Sequence, residues 1–180
     1  MMWWNNKVNL VSRDVSHETL FEHIKHSLLI STTQGFQMAQ KIIDTGTGGG
    51  LPGVPLAICF PEKSFILNDI VKKKMMVAKH ISSKLNLKNI VVNSGPIAEV
   101  EVKGYTIISK HAFKVFELID FLAGKQWNEI IFLKGESEVE GELKKIDEPF
   151  EVKITCLDKV LESEFYRGKS IVELKRTQSE

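Results

Sequence analysis

The stretch Ile42-Ile43-Asp44-Thr45-Gly46-Thr47-Gly48-Gly49-Gly50-Leu51 reads as a short apolar strand that breaks into a glycine-rich loop. Gly46, Gly48, Gly49 and Gly50 permit a sharp turn between strand and helix, and they let backbone N–H groups approach a ligand without interference from Cβ. Pro52 follows where a first-turn proline is tolerated, because its missing N–H would have had no helical partner. Ligands of open α/β sheets bind outside the carboxyl ends of the strands, where this loop falls. A tight structural turn is the bland reading of the same glycines.

The surrounding chain supports a sheet. From Lys41 onward, strand-like runs fall at Lys41–Asp44, Ser64–Asn68, Asn89–Asn93, Tyr105–Ser109, Glu129–Leu133, Val152–Leu157 and Ser170–Leu174. Helical patterns separate them at Pro52–Phe60, Lys72–Leu85, Lys114–Ala123 and Glu138–Ile146. In the second of these, Met75, Ala78, Ile81 and Leu85 recur at spacings of three and four, as a sheet-covering helix requires. The alternation predicts an α/β fold with a mainly parallel sheet and helices on both faces. The last two strands follow one another without a convincing helix, which predicts an antiparallel hairpin at the sheet edge. Upstream, a helix is expected from near Ser16 to about Ile30, with Leu20, Ile24, Ser27 and Leu28 on its buried side. With no repeat or Pro/Gly/Ser linker, residues 1–180 are expected to form one domain: a helical segment over 1–40 and an α/β core over 41–180.

Composition bounds the function. Of 180 residues, 43% are apolar and 26% charged, as in ordinary globular proteins. No apolar run approaches the roughly 20 residues that span a bilayer. The N-terminus lacks the basic start and apolar stretch of a secretory signal, so a cytoplasmic protein is expected. Cys59 and Cys156 lie far apart in apolar segments with no ligand-like spacing, which predicts buried thiols and no metal site. The net charge of +1 neither demands nor forbids a nucleic-acid partner.

Two acids narrow the ligand. Asp44 ends the first strand two residues before Gly46, where a carboxylate can meet a cationic ammonium. Asp69 ends the second strand, where a carboxylate can accept hydrogen bonds from a ribose diol; capping the following helix is its competing role. A nicotinamide dinucleotide site expects G-x-G-x-x-G, but the residue three after Gly48 is Leu51. Asp44 would also oppose a pyrophosphate. S-adenosyl-L-methionine carries no phosphate and has an ammonium and a sulfonium, so it fits, with Gly46, Thr47, Gly48 and Gly50 as its cradle.

At this point the sequence resembles one family. Asp44 through Gly50, continued by Leu51-Pro52-Gly53-Val54-Pro55-Leu56-Ala57-Ile58, is similar to the cofactor loop of the glucose-inhibited division protein B family, the small-subunit rRNA methyltransferases G. Trp4-Asn5-Asn6-Lys7-Val8-Asn9-Leu10 and Glu22-His23…His26-Ser27-Leu28 resemble its N-terminal segments, while its usual extra N-terminal helix is missing. Leu67-Asn68-Asp69…Lys73-Lys74 and Phe132-Leu133-Lys134-Gly135 match downstream, in order. The resemblance implies a Rossmann-like class I methyltransferase sandwich, its seven-stranded, mostly parallel sheet ending in a reversed strand. It also implies methylation of N7 of a guanine in 16S rRNA or the small ribosomal subunit. Cofactor contacts carry over onto Gly46, Leu51, Ile97 and Ala98. A family arginine of a Ser-Arg-Ala pattern is replaced here within Ser109-Lys110-His111-Ala112-Phe113, so Lys110 or His111 stands in as cofactor contact and catalytic candidate. The family's Ser-Arg before its Glu-Glu pair is here Ser94-Gly95-Pro96. A C-terminal family arginine corresponds to Lys169, or shifted to Arg167.

The implied chemistry suits the residues. Guanine N7 already has an available lone pair, so no general base is required, and positioning with exclusion of water suffices. The sequence offers no convincing acid–base pair, no Asn-Pro-Pro-aromatic motif for adenine-amine methylation and no well-placed thiolate for C5-pyrimidine chemistry. RNA binding has to come largely from positive charge. Lys73, Lys74, Lys134, Arg167 and Lys169 are the candidates, against the reading of a merely solvated helix face for the lysines of Lys72–Lys88. His23 and His26 read as packed helix histidines, and Trp3 and Trp4 are expected in the core, with base stacking as the alternative. A monomeric enzyme is expected. A non-catalytic RNA-binding relative and a small-molecule methyltransferase are the rival readings.

Overall fold

A computed structural model describes residues 2–8, 10 and 15–177; Asn9, quoted in the N-terminal match, lies outside them. The chain runs α1 (Met2–Val8), α2 (His17–Leu28), α3 (Gln34–Met38), β1 (Lys41–Thr45), α4 (Gly53–Cys59), β2 (Ser64–Asp69), α5 (Lys72–Lys84), β3 (Ile90–Ser94), β4 (Thr106–Lys110), α6 (Val115–Phe121), β5 (Glu129–Gly135), α7 (Glu136–Leu143), β6 (Phe150–Cys156) and β7 (Lys169–Arg176). All seven strands form one sheet in the order β3-β2-β1-β4-β5-β7-β6. β7 alone is reversed, pairing antiparallel with β5 and β6, so the expected edge hairpin is present.

The central strands are continuous apolar runs because both of their faces are covered. Ile43, Ile107, Ile130 and Phe132 bury into one layer with Leu118 and Leu122 of and after α6. Ile42, Ile108, Ile131 and Leu133 bury into the other with Phe36, Leu56 and Phe65. The chain steps outward from β1 to β2 and β3, then returns to place β4 on the other flank of β1. This reversal opens a crevice at the carboxyl ends of β1 and β4, the place where such sheets take ligands.

Several expectations change at the element ends. Ser16 is the N-cap of α2, accepting the Thr19 N–H at 3.1 Å. The helix then tightens to a 3₁₀ turn at Leu29–Thr32. Its buried residues are Leu20, His26 and Ser27, with Ile24 and Leu28 only half-buried. Pro52 is the N-cap of α4 and precedes the first turn. The thiols are a correction: Cys59 ends α4 and is exposed, and Cys156 ends the edge strand β6, half-buried, with Sγ donating to Glu136 Oε1 at 3.0 Å. Trp3 is another, 61% exposed on α1, while Trp4 is half-buried with its ring 5.3 Å from that of His80 on α5.

Candidate active site

The glycine loop is held from behind. At the end of β1, Asp44 is fully buried, and its Oδ2 accepts the Thr47 hydroxyl at 2.5 Å and the Gly53 N–H at 2.7 Å. Burial raises its carboxyl to about 7, against the lowering effects of Thr47, Gly53 and the Lys110 charge. Oδ1 is buried without a partner among the described residues. A Cβ on Gly53 would lie 2.7 Å from Asp44 Oδ2 and 2.3 Å from Leu67, so only glycine lets α4 begin against this carboxylate. Gly46 has a φ of +69°, and a Cβ there would lie 2.3 Å from that of Ala112. Glycine at 46 therefore serves both the turn and the close approach of the segment after β4.

β2 closes the loop from the side. Asp69 Oδ2 accepts the Gly48 N–H at 3.0 Å and its Oδ1 accepts the Val71 N–H at 2.8 Å. It does not cap α5, whose N-cap is Val71 with no side-chain bond. The Asn68 carbonyl receives the N–H groups of Gly46 and Thr47 at 2.8 and 3.1 Å, and the Thr45 hydroxyl donates to Asn68 Oδ1. Both Asp69 oxygens, the Asn68 carbonyl and Asn68 Oδ1 are therefore engaged in shaping the loop and its flanks.

A cavity of about 830 Å³ opens above it. Gly46, Thr47, Gly48, Leu51 and Asp69 line one side, and Ile97 and Ala98 line another. Lys110 and His111, at the end of β4, line the side of the loop opposite β2, and Lys74 reaches the cavity from α5. Asp44 and Gly50 do not line it; they support the loop from beneath. Ile70, 70% exposed, and Phe121, 49% exposed, add apolar walls that the sequence reading missed. A signal for Ile70 existed, since apolar residues directly after a strand-ending carboxylate have no strand left to bury them.

The β4 side is basic. Lys110 Nζ lies 3.1 Å from His23 Nδ1, and both line the cavity. His23 is thus a site residue, not only a packed one. Burial lowers the Lys110 ammonium to about 8, opposed by Asp44 and aided by Lys169. Burial, then Lys110 and Lys169, takes His23 down to about 4, so its ring is neutral near pH 7. His26 is fully buried against the rings of Phe165, Tyr166 and His111, as a packed histidine. His111 has a φ of +51° and opens to the cavity; the protein around it, then Lys110, lowers its imidazole.

The RNA candidates separate. Lys134 is a correction: β5 continues to Gly135, so this lysine lies within the strand and is buried. Its Nζ pairs with Glu142 Oε2 at 3.0 Å and donates to the Phe113 carbonyl at 2.9 Å. Glu142 also accepts the Val115 N–H, so the pair ties the β4–α6 connection to α7. Arg167 is exposed and pairs with Glu164 at 2.8 Å. Lys169 Nζ lies 4.2 Å over the Phe165 ring and donates to that residue's carbonyl. Lys73 is exposed on α5, a helix without a single acidic residue. Among the described residues there is no group of three His, Cys, Asp or Glu that could hold a metal, and no helix is long and apolar enough to cross a membrane.

The comparisons agree with this geometry. Among solved structures, an S-adenosylmethionine-dependent O-methyltransferase from Thermotoga maritima superposes with a TM-score of 0.67 at 17% identity, covering 87% of this chain and 66% of its own. The magnesium protoporphyrin IX methyltransferase of Synechocystis, solved with bound S-adenosylmethionine, gives 0.63 at 16% identity over 98% and 90%. These likenesses establish the Rossmann-like methyltransferase fold. The ribosomal RNA small subunit methyltransferase G of Cytophaga hutchinsonii is 32% identical over 178 residues, covering 94% of this chain and 84% of its own. That of Christiangramia forsetii is 35% identical over 179 residues, covering 95% and 83%. That of Chlorobium phaeobacteroides is 36% identical over 145 residues, 79% of this chain but only 65% of the relative. The family model for GidB, rRNA small subunit methyltransferase G, matches residues 1–164, and with these relatives it shows that the chain belongs to the rRNA small subunit methyltransferase G family.

Proposed function

We propose that this chain transfers a methyl group from S-adenosylmethionine to N7 of a guanine in 16S rRNA, acting as a monomer in the cytoplasm on the free rRNA or the small subunit. The carrying observation is the cavity at the β1/β4 reversal, with the glycine loop at its middle, Asp69 on one side and Lys110, His111 and His23 on the other. The residues fit the cofactor. Asp44 Oδ1, buried and without a partner among the described residues, lies beneath the loop as an acceptor for an amino-acid ammonium, whose charge would favour the ionised carboxylate. Asp69 keeps lone pairs for ribose hydroxyls beyond the two backbone N–H groups it already accepts. Ile70, Ile97 and Ala98 supply apolar surface for a purine. Gly46, Thr47, Gly48 and Leu51 complete the cradle, and Asp44 and Gly50 act through it.

When bound, S-adenosylmethionine supplies an electrophilic methyl carbon. Guanine N7 needs no proton removed, so the side chains have only to orient the base and keep water out. The reaction therefore asks no proton transfer of Lys110, His23 or His111. Exposed Lys73 and half-buried Lys74 and Lys169 are the cations that would meet rRNA phosphates, with Arg167 able to join if it leaves Glu164. Lys134 is committed to Glu142 and is not among them.

Replacement of the family arginine within Ser109-Lys110-His111 favours one other reading, an RNA-binding relative without catalysis. Labelled methyl transfer to 16S rRNA and to small subunits, followed by nucleoside analysis, separates the two. Labelled 7-methylguanosine is the expected product, and cofactor binding without incorporation would reject the enzymatic reading.

A further inference from the structure

The His23–Lys110 contact joins residues 87 apart in sequence and places both on one wall of the cavity. Lys110 forms no ion pair among the described residues; Asp44 acts on its charge from beyond contact and takes none of its N–H groups. An ammonium has three donors, and one is directed at His23 Nδ1. That assignment makes His23 the tautomer with its proton on Nε2. The ring is steadied by Phe165, edge-on at 5.4 Å.

This donor suits one base edge. On guanine, N7 and O6 are adjacent acceptors, whereas adenine presents a donor amine beside N7. During N7 methylation the N7 lone pair faces the methyl carbon and cannot accept a hydrogen bond. O6 is then the acceptor left on that edge. A lysine ammonium is also a poor partner for a cationic cofactor, whereas O6 carries the partial negative charge it can meet.

Resting on the proposed guanine-N7 reaction, we infer that the His23–Lys110 pair selects guanine over adenine. Lys110 donates to O6 of the substrate base, and His23 is the positioning residue that holds the ammonium against the cavity wall. The role is distinct from cofactor binding, which the family arginine at this place would have implied.

The test uses the whole protein and an rRNA whose modified guanine has first been mapped with the unaltered protein. Lys110→Met lowers kcat/KM for rRNA by about tenfold or more, the scale of one lost base-edge hydrogen bond, and leaves the affinity for S-adenosylhomocysteine unchanged. His23→Leu lowers kcat/KM in the same direction, and His23→Asn, whose amide oxygen can take the place of Nδ1, restores most of it. Replacing the mapped guanine by 2-aminopurine, which keeps N7 and lacks O6, costs the unaltered protein about tenfold and costs Lys110→Met almost nothing further. Equal losses on 2-aminopurine in both proteins overturn the inference, as does cofactor affinity that falls in step with the rate. If the unaltered protein forms no 7-methylguanosine, the proposed function fails instead.

Discussion

The two sides of the cavity are built on opposite plans. Around the glycine loop and β2, Asp44, Asn68 and Asp69 each receive at least two hydrogen bonds from neighbouring donors, and the acids have no lysine in ion-pair contact. On the β4 side, Lys110, His23 and His111 gather beside Lys169 with no carboxylate in ion-pair contact. The first arrangement spends its polar groups on holding a backbone shape. The second holds Lys110 and Lys169 with neutral acceptors only, His23 Nδ1 and the Phe165 carbonyl, which leaves each ammonium further N–H groups that a substrate acceptor can take. A rigid acidic cradle and an uncommitted basic wall are what a reaction between a cationic cofactor and a polyanion calls for.

The contrast can be broken most sharply at Gly46. Gly46→Val places a branched side chain on the Ala112 and Phe113 contacts at a left-handed φ, and it should abolish binding of S-adenosylhomocysteine in a calorimeter. Undiminished affinity would remove the loop from the site. Next in size, Lys134→Ala leaves Glu142 buried without its partner and should lower the unfolding free energy by about 3 kcal/mol or more, read from urea melts. A change within about 0.5 kcal/mol would return Lys134 to the pool of surface contacts.

Asp44 gives a smaller effect with a definite sign. Its folded carboxyl titrates near 7, above the ordinary 3.8, so between those values the folded protein holds a proton that the unfolded chain has released. The Asp44 contribution to stability therefore falls as pH rises from about 4 to about 7. His23 and His26, held neutral to about 4 and about 3, act oppositely below 6.5. The comparison of the unaltered protein with Asp44→Asn isolates the first effect: the variant should gain relative stability steadily as pH is raised to 7. A constant difference across that range would show that Asp44 is not the titrating group. The smallest expected change is at the surface, where Lys73→Glu should weaken rRNA binding a few-fold and flatten its salt dependence without altering cofactor affinity.

These two sides also differ in how far they could be read without coordinates. The loop, Asp44 and Asp69 are legible because glycines and strand-end acids act within a few residues of one another. Their partners are less so: Asp44 braces Gly53 only because α4 folds back over β1, and Asp69 turns its oxygens to Gly48 and Val71 in place of capping α5. On the basic side the decisive contact needs α2 laid across the end of β4. His23 and His26, three apart on one helix, look alike in sequence, yet one lines the cavity and the other lies beneath it. Lys134 is not legible as a strand residue because the apolar run stops at Leu133, whereas pairing with the reversed β7 carries β5 on to Gly135. Edge and helix-end positions such as Cys59 and Cys156 follow the same rule, since apolar neighbours in sequence do not fix which side of an element faces water.

The most direct test of the account is transfer of labelled methyl groups from S-adenosylmethionine to small ribosomal subunits and to 16S rRNA, with the products resolved as nucleosides. Label confined to 7-methylguanosine at one position is the predicted result. Label in any other nucleoside, or none while the protein still binds S-adenosylhomocysteine, would contradict it.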